Sequence, residues 1–137
     1  MSTFKSRTLS VTINRNWRDV YSYAAEPANM VHWAAGLGAG FEGEGLEWKA
    51  HGAGGTAVRI RFTQRNEFGV LDHDVFVDGR IVHVPLRVMP NGDGAEVSFL
   101  LLQTPDLDDA AFERDAEAVN KDLQTLKAIM EDRAGGR

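Results

Sequence analysis

Polar and apolar residues alternate from Thr8 to Asn14, with Leu9, Val11 and Ile13 on one side and Thr8, Ser10 and Thr12 on the other. A period of two predicts a half-buried strand. The period then lengthens. Trp17, Val20, Tyr21 and Ala24 fall at i, i+3, i+4 and i+7, the apolar stripe of a short helix that Asn14 can cap. Pro27 suits the first turn of a second short helix, Pro27 to about Trp33, where the N–H that proline lacks would have no partner anyway. Eight of the 14 glycines lie between Gly36 and Gly55, together with Phe41, Leu46 and Trp48. That composition predicts one or two weak or irregular strands with mobile connections.

Alternation returns beyond Gly55. Val58, Ile60 and Phe62 alternate with Arg59, Arg61 and Thr63, and Leu71, His73, Val75 and Val77 alternate with Asp72, Asp74 and Phe76. Asp78-Gly79 marks a hairpin. The next strand, Arg80 to about Met89, sets Val82, Val84, Leu86 and Val88 on one face, and Pro85 inside it argues for an edge or a bulge. Asn91-Gly92-Asp93-Gly94 then turns the chain into a last strand, Ala95 to Gln103. After Thr104-Pro105 the period becomes helical, with Phe112, Ala116, Val119, Leu123, Leu126 and Met130 separated by alternating steps of four and three. Asp106, Asp108 and Asp109 favour the start of this helix and Gly135-Gly136 stops it. About 24 residues at about 1.5 Å each make a rod of about 36 Å, long enough to cross a domain.

Such a stripe needs a partner of its own size, and only the sheet supplies one. The expected class is therefore α+β: a curved antiparallel sheet of six or seven strands wrapped around a long C-terminal helix. Two short helices after the first strand close one end. A sheet wider than the helix it holds leaves an apolar hollow between them, the usual place for a small-molecule ligand.

Composition narrows the classes. A chain of 137 residues without a repeat or linker is read as one domain, 1–137, able to bury a core without disulfides. The absence of Cys excludes thiolate zinc sites, iron–sulfur clusters and a thiol nucleophile. The net charge is −5, and the last helix carries much of the acid, so nucleic acid is not an expected partner. The early cluster of Lys5, Arg7, Arg15 and Arg18 reads as a solvated face. No apolar run approaches the roughly 20 residues of a membrane span, and the expectation is a cytoplasmic protein. His32, His51 and His83 show no metal-ligand spacing, and Asp72, His73 and Asp74 diverge to opposite faces of a strand, so no metal is expected. Gly36 to Gly40 and Gly52 to Gly55 lack the strand, long helix and GK[ST] of a phosphate loop and read as flexible rims. No cofactor is expected.

The element order and several segments resemble the START-like, helix-grip superfamily (the SRPBCC group), including its polyketide cyclase/dehydrase-like bacterial members. The segments are Val11-Thr-Ile-Asn14 leading into Trp17 to Ala25, the Pro27-to-Trp33 helix with Ala34-Ala-Gly-Leu37, Gly69-Val-Leu-Asp-His-Asp-Val75, Pro85-Leu-Arg-Val-Met-Pro-Asn-Gly92, Glu96-Val-Ser-Phe99 and Asp122-Leu-Gln-Thr-Leu-Lys127. The resemblance covers nearly the whole chain. It implies the helix-grip fold and a cavity, but spans lipid carriers, hormone receptors, aromatic cyclases and chaperone regulators, so it does not choose a function.

Within the expected hollow, His73 shares parity with Leu71, Val75 and Val77 and is read either as a ligand-binding or acid/base group or as a core histidine bonded to backbone. A carboxylate partner would have to come from another strand. The expected ligand-binding set is Trp33, Phe62, His73, Val75, Leu86, Phe99, Gln103, Val119 and Leu123, with Trp33 at the mouth and Gln103 offering a polar amide. Trp17 and Trp48 are alternative aromatic walls, Tyr21 and Tyr23 alternative polar helpers, and Arg87 an alternative anchor for an acidic ligand. Three functions follow: binding of a small hydrophobic or aromatic, lipid- or polyketide-like molecule; a cyclase, dehydratase or hydrolase using His73; or a protein-interaction module with a filled core.

Overall fold

The first alternating segment forms β1 (Ser6–Ile13) in a computed structural model that describes residues 2–35, 40–51 and 56–135, with side chains as far as 132. The short helices follow as α1 (Trp17–Ala24) and a 3-10 helix (Pro27–His32). Asn16, rather than Asn14, caps α1: its Oδ1 accepts from the Arg18 N–H at 2.9 Å. A capping side chain must sit one residue before the first helical turn, and Asn14 lies too far back. The Asn14 N–H instead donates to Glu131 Oε2 at 2.8 Å, tying the end of β1 to the last helix.

The glycine-rich stretch yields β2 (Glu42–Glu44) and β3 (Glu47–His51), and its expected rims lie largely outside the described residues. Then come β4 (Ala57–Phe62), β5 (His73–Val77), β6 (Arg80–Val84), β7 (Leu86–Asn91), β8 (Gly94–Leu102) and α2 (Asp109–Gly135). The hairpin between β5 and β6 turns on Asp78 and Gly79, both with positive φ (50° and 72°), the backbone of a tight two-residue turn.

The eight strands of the described residues form two antiparallel sheets, ordered β1-β8-β7 and β2-β3-β4-β5-β6. The expected single strand from Arg80 to Met89 is divided at Pro85, which is why β6 and β7 lie in different sheets. Proline has no N–H to give a ladder, so the chain turns a corner there. The corner is stitched on both sides. Leu71 N–H donates to Leu86 O at 2.8 Å, Val88 N–H to Gly69 O at 2.9 Å, and Leu100 N–H to Pro85 O at 3.0 Å. The result is a bent ribbon of strands, as a sheet that wraps a helix requires.

Asp72 is the side-chain clamp of this corner. Its Oδ1 accepts from the Leu86 N–H at 2.9 Å, and its carboxylate takes Arg87 in a two-pronged pair at 3.1 and 2.8 Å. The Arg87 guanidinium, helped by the Leu86 N–H, holds the Asp72 carboxyl below the usual carboxylate range despite partial burial. Asp72→Ala is expected to cost about 1–3 kcal/mol, since it leaves the Leu86 N–H unpaired. Urea denaturation checks this. Because the folded pKa is depressed, the stabilisation is present at neutral pH and is lost as pH falls below about 4. The gap between wild type and variant should therefore narrow in acid.

One face of α2 lies on the three-stranded sheet. Leu123, Leu126 and Met130 share a continuous core with Val11 and Ile13 of β1, Val88 of β7, Val97 of β8 and Val20 of α1. Asp108 caps α2, accepting from the Ala111 N–H at 2.8 Å.

Candidate functional site

Because α2 seats on β1 and β8, its opposite flank faces the five-stranded sheet across a gap. A cavity of about 230 Å³ occupies that gap. Val119, Asp122 and Leu123 of α2 form one wall. Val58 and Ile60 of β4 with His73 and Val75 of β5 form the facing wall. Leu86 and Phe99, cross-strand neighbours on β7 and β8, form the floor, and Met30, Trp33 and Ala34 close the end.

Seven of the nine residues expected to contact a ligand border this cavity: Trp33, His73, Val75, Leu86, Phe99, Val119 and Leu123. Phe62 does not. Its ring lies tilted against His73, centroids 5.7 Å apart, so it backs the imidazole instead of reaching the hollow. It shares strand parity with Val58 and Ile60, but it stands at the end of β4 and lies beyond the cavity. Gln103 is also elsewhere. Its Nε2 donates to Leu107 O at 3.0 Å and Asp109 Oδ1 at 2.9 Å, because β8 has already ended and the amide ties the turn into the start of α2.

The alternative residues are occupied outside the cavity. Arg87 faces outward to Asp72. Arg59 and Arg61 lie 3.7 and 3.5 Å from the Glu47 carboxylate on the outer face. Trp48 stacks on Phe41 at 4.8 Å and donates to Gly45 O at 3.0 Å. Trp17 packs against the core under the Arg18 guanidinium. The Tyr21 hydroxyl accepts from the Asn66 N–H at 2.8 Å, and neither Tyr21 nor Tyr23 borders the cavity.

Polar groups on the cavity wall are few. His73 Nδ1 lies 3.1 Å from Leu71 O. A carbonyl only accepts, so Nδ1 carries the proton and Nε2 keeps its lone pair in the neutral ring. Burial pushes the His73 pKa down, against the opposing pull of the Leu71 carbonyl and of Asp72 and Asp74. Asp122 was not anticipated. Its position three residues after Val119 and one before Leu123 places it on the flank of the helix stripe, which was the available signal. Burial pushes its carboxyl up, although Oδ1 accepts from the Ala35 N–H at 3.2 Å. The Trp33 indole Nε1 also has no hydrogen-bond partner among the described residues, but it is enclosed by its neighbours and offers no accessible surface to the cavity.

Since the folded-state pKa of His73 lies below the usual histidine value of about 6.5, the folded protein binds fewer protons than the unfolded chain just below that pH. Its contribution is complete above that range and declines as pH falls. Wild type should lose up to about 1.4 kcal/mol per pH unit more than His73→Leu between pH 6.5 and the depressed value. Parallel denaturation series at pH 7 and 5 measure the difference; equal slopes would mean the ring is not held neutral.

Among the described residues no cluster of three or more His, Asp or Glu is arranged to hold a metal ion, and no helix is long and apolar enough to cross a membrane.

Solved structures share this architecture. The protein XoxI from Bacillus cereus matches with a TM-score of 0.75 at 11% identity, over 94% of this chain and 97% of that one. KanY matches with a TM-score of 0.72 at 15% identity, over 96% and 99%. DynU16, described as a protein in the dynemicin biosynthetic locus, matches with a TM-score of 0.69 at 12% identity, over 92% of this chain and 47% of that one. At such identities the likeness is one of fold. No protein-family model matches the sequence, and no curated protein matches it.

Proposed function

We propose that this chain is a small START-like, SRPBCC-type protein that binds a hydrophobic or aromatic molecule between its bent sheet and α2. The observation that carries the reading is the apolar cavity itself, bounded by aliphatic side chains of β4, β5, β7 and α2. Its volume supports a small guest. A cavity of about 150 Å³ accommodates benzene, so 230 Å³ is enough for one ring with short substituents.

The test uses p-cymene, a neutral single-ring hydrocarbon. Added at about 100 times its dissociation constant it should stabilise the wild type by about 2.7 kcal/mol against thermal unfolding. Val119→Phe, which projects a ring into the hollow, should remove the effect. Absence of stabilisation in wild type, or an equal shift in the variant, would contradict the reading.

One observation favours a second reading, in which the molecule is turned over. His73 and Asp122 border the same cavity, and burial drives both toward their neutral forms, a base and an acid on one site. This suits proton transfer in a cyclase, dehydratase or hydrolase acting on a polyketide-like substrate. Deuterium uptake at the acetyl methyl of 4-methylacetophenone in D2O tests it. Acceleration by wild type and its loss in His73→Gln would support catalysis, whereas uptake equal to buffer would leave binding alone.

A further inference from the structure

The cavity wall carries charge of one sign, and that narrows the guest beyond its size. Of the residues that line it only His73 and Asp122 are titratable, and none is Lys or Arg. His73 is held toward its neutral form by burial, with Nδ1 donating to the Leu71 carbonyl, so it brings no positive charge to the wall. Asp122 alone sets the sign.

Its carboxylate sits where α2 meets the end wall. Oδ1 accepts from the Ala35 N–H at 3.2 Å, and the preceding residue, Ala34, lines the cavity together with Asp122. Oδ2 has neither a hydrogen-bond nor an ion-pair partner among the described residues. It is also open to a guest, since the one enclosed and unpartnered side-chain N or O among those residues is Trp33 Nε1. The cation that acts on Asp122, Lys121, is its neighbour along the helix and is exposed. Burial without a close counter-charge pushes the Asp122 carboxyl up.

A cationic guest supplies that counter-charge. An anionic one would be desolvated beside a like charge, with nothing on the wall to pair it. The chain as a whole, at a net charge of −5, also attracts cations and repels anions.

We propose that the cavity selects a single-ring arylalkylamine, its ring among the aliphatic side chains of β4, β5 and β7 and its ammonium on Asp122 Oδ2. The proposal rests on the cavity-binding reading above and adds the sign of the guest's charge. It separates protonated amines from aromatic acids, fatty acids and neutral alcohols of the same size. An alkylammonium titrates near the lysine value of about 10.4 and is therefore charged at neutral pH.

Calorimetric titration of the full chain at neutral pH tests it with probes of matched size. The series is 2-phenylethylamine (cation), 2-phenylethanol (neutral, polar), n-propylbenzene (neutral, apolar) and phenylacetate (anion). The amine should bind about five- to tenfold more tightly than the alcohol, the effect of one partly solvated charged hydrogen bond. Phenylacetate should bind about tenfold more weakly than the alcohol. Asp122→Asn keeps a side-chain oxygen for the Ala35 N–H and removes the charge. In it the amine-to-alcohol ratio should fall to about one, and phenylacetate should approach the alcohol. Ratios within one protein cancel any general loosening of the wall, and the wild-type series decides alone if the variant does not fold. In wild type, n-propylbenzene should displace the amine, as two guests of one hollow must.

If n-propylbenzene binds but the amine is held no more tightly than the alcohol, the charge selection is wrong while the cavity still binds. An amine-to-alcohol ratio unchanged in Asp122→Asn, or an amine that n-propylbenzene does not displace, places the ammonium elsewhere on the acidic surface and overturns the proposal equally. If no probe binds, n-propylbenzene included, the cavity-binding reading fails and this inference with it.

Discussion

Replacing Leu126 with Ala is expected to destabilise the protein by about 2–5 kcal/mol, measured by chemical denaturation. Leu126 is fully buried on the side of α2 that seats against β1 and the three-stranded sheet, within the same core as Ile13 and Val97. Removing three carbons there leaves a void that close-packed neighbours cannot fill. Val119, one face further round the same helix, borders the hollow and is only partly buried. Val119→Ala should cost markedly less, because its outer atoms already lack packing partners. The contrast separates the flank of α2 that holds the fold from the flank that bounds the site. Equal losses at both positions would mean that the helix is packed alike on all sides.

The second large effect is at the corner. Gly69 has φ near 73°, and a Cβ built on it would lie 2.0 Å from the Val88 carbonyl oxygen. The neighbour is backbone, not a flexible side chain, and the Gly69 carbonyl accepts the Val88 N–H across the same junction. Gly69→Ala therefore combines an unfavourable backbone conformation with a broken stitch between the sheets, for an expected loss of about 2–5 kcal/mol. Gly79 also has positive φ but nothing within 4 Å of a built Cβ. Gly79→Ala should bear only the conformational cost of about 1–2 kcal/mol. A Gly69 variant no worse than the Gly79 variant would show that the corner can open without loss.

The helix and the strands were legible because their periods are clean. The 3.6-residue stripe from Phe112 to Met130 found α2, and two-residue alternation found β1, β4, β5 and β8. The corner was only half legible. Pro85 signalled an interruption, but whether a proline makes an edge, a bulge or a change of sheet depends on who pairs with the residues around it. Those partners, Gly69 to Asp72, are far away in sequence. The strand count rose to eight, above the expected six or seven, for that reason.

At the site, parity placed His73, Val75, Leu86 and Phe99 on inward faces, and all four border the cavity. Parity alone was not enough at the ends of strands: Phe62 packs on His73 outside the cavity, and the turn after Leu102 recruited Gln103. Asp122 and the unpaired Trp33 N–H were beyond reach, because burial and partner lists are properties of packing and not of local pattern.

The central claim is that α2 is held on one flank and leaves a largely apolar hollow on the other. Titration of methyl-labelled protein with p-cymene, followed by NMR, tests it most directly. The account predicts saturable shifts at the methyls of Val58, Ile60, Val75, Leu86, Val119 and Leu123, with those of Val11 and Val88 little changed. Shifts confined to the exposed Val31 and Ile81, or no saturable shifts at all, would contradict it.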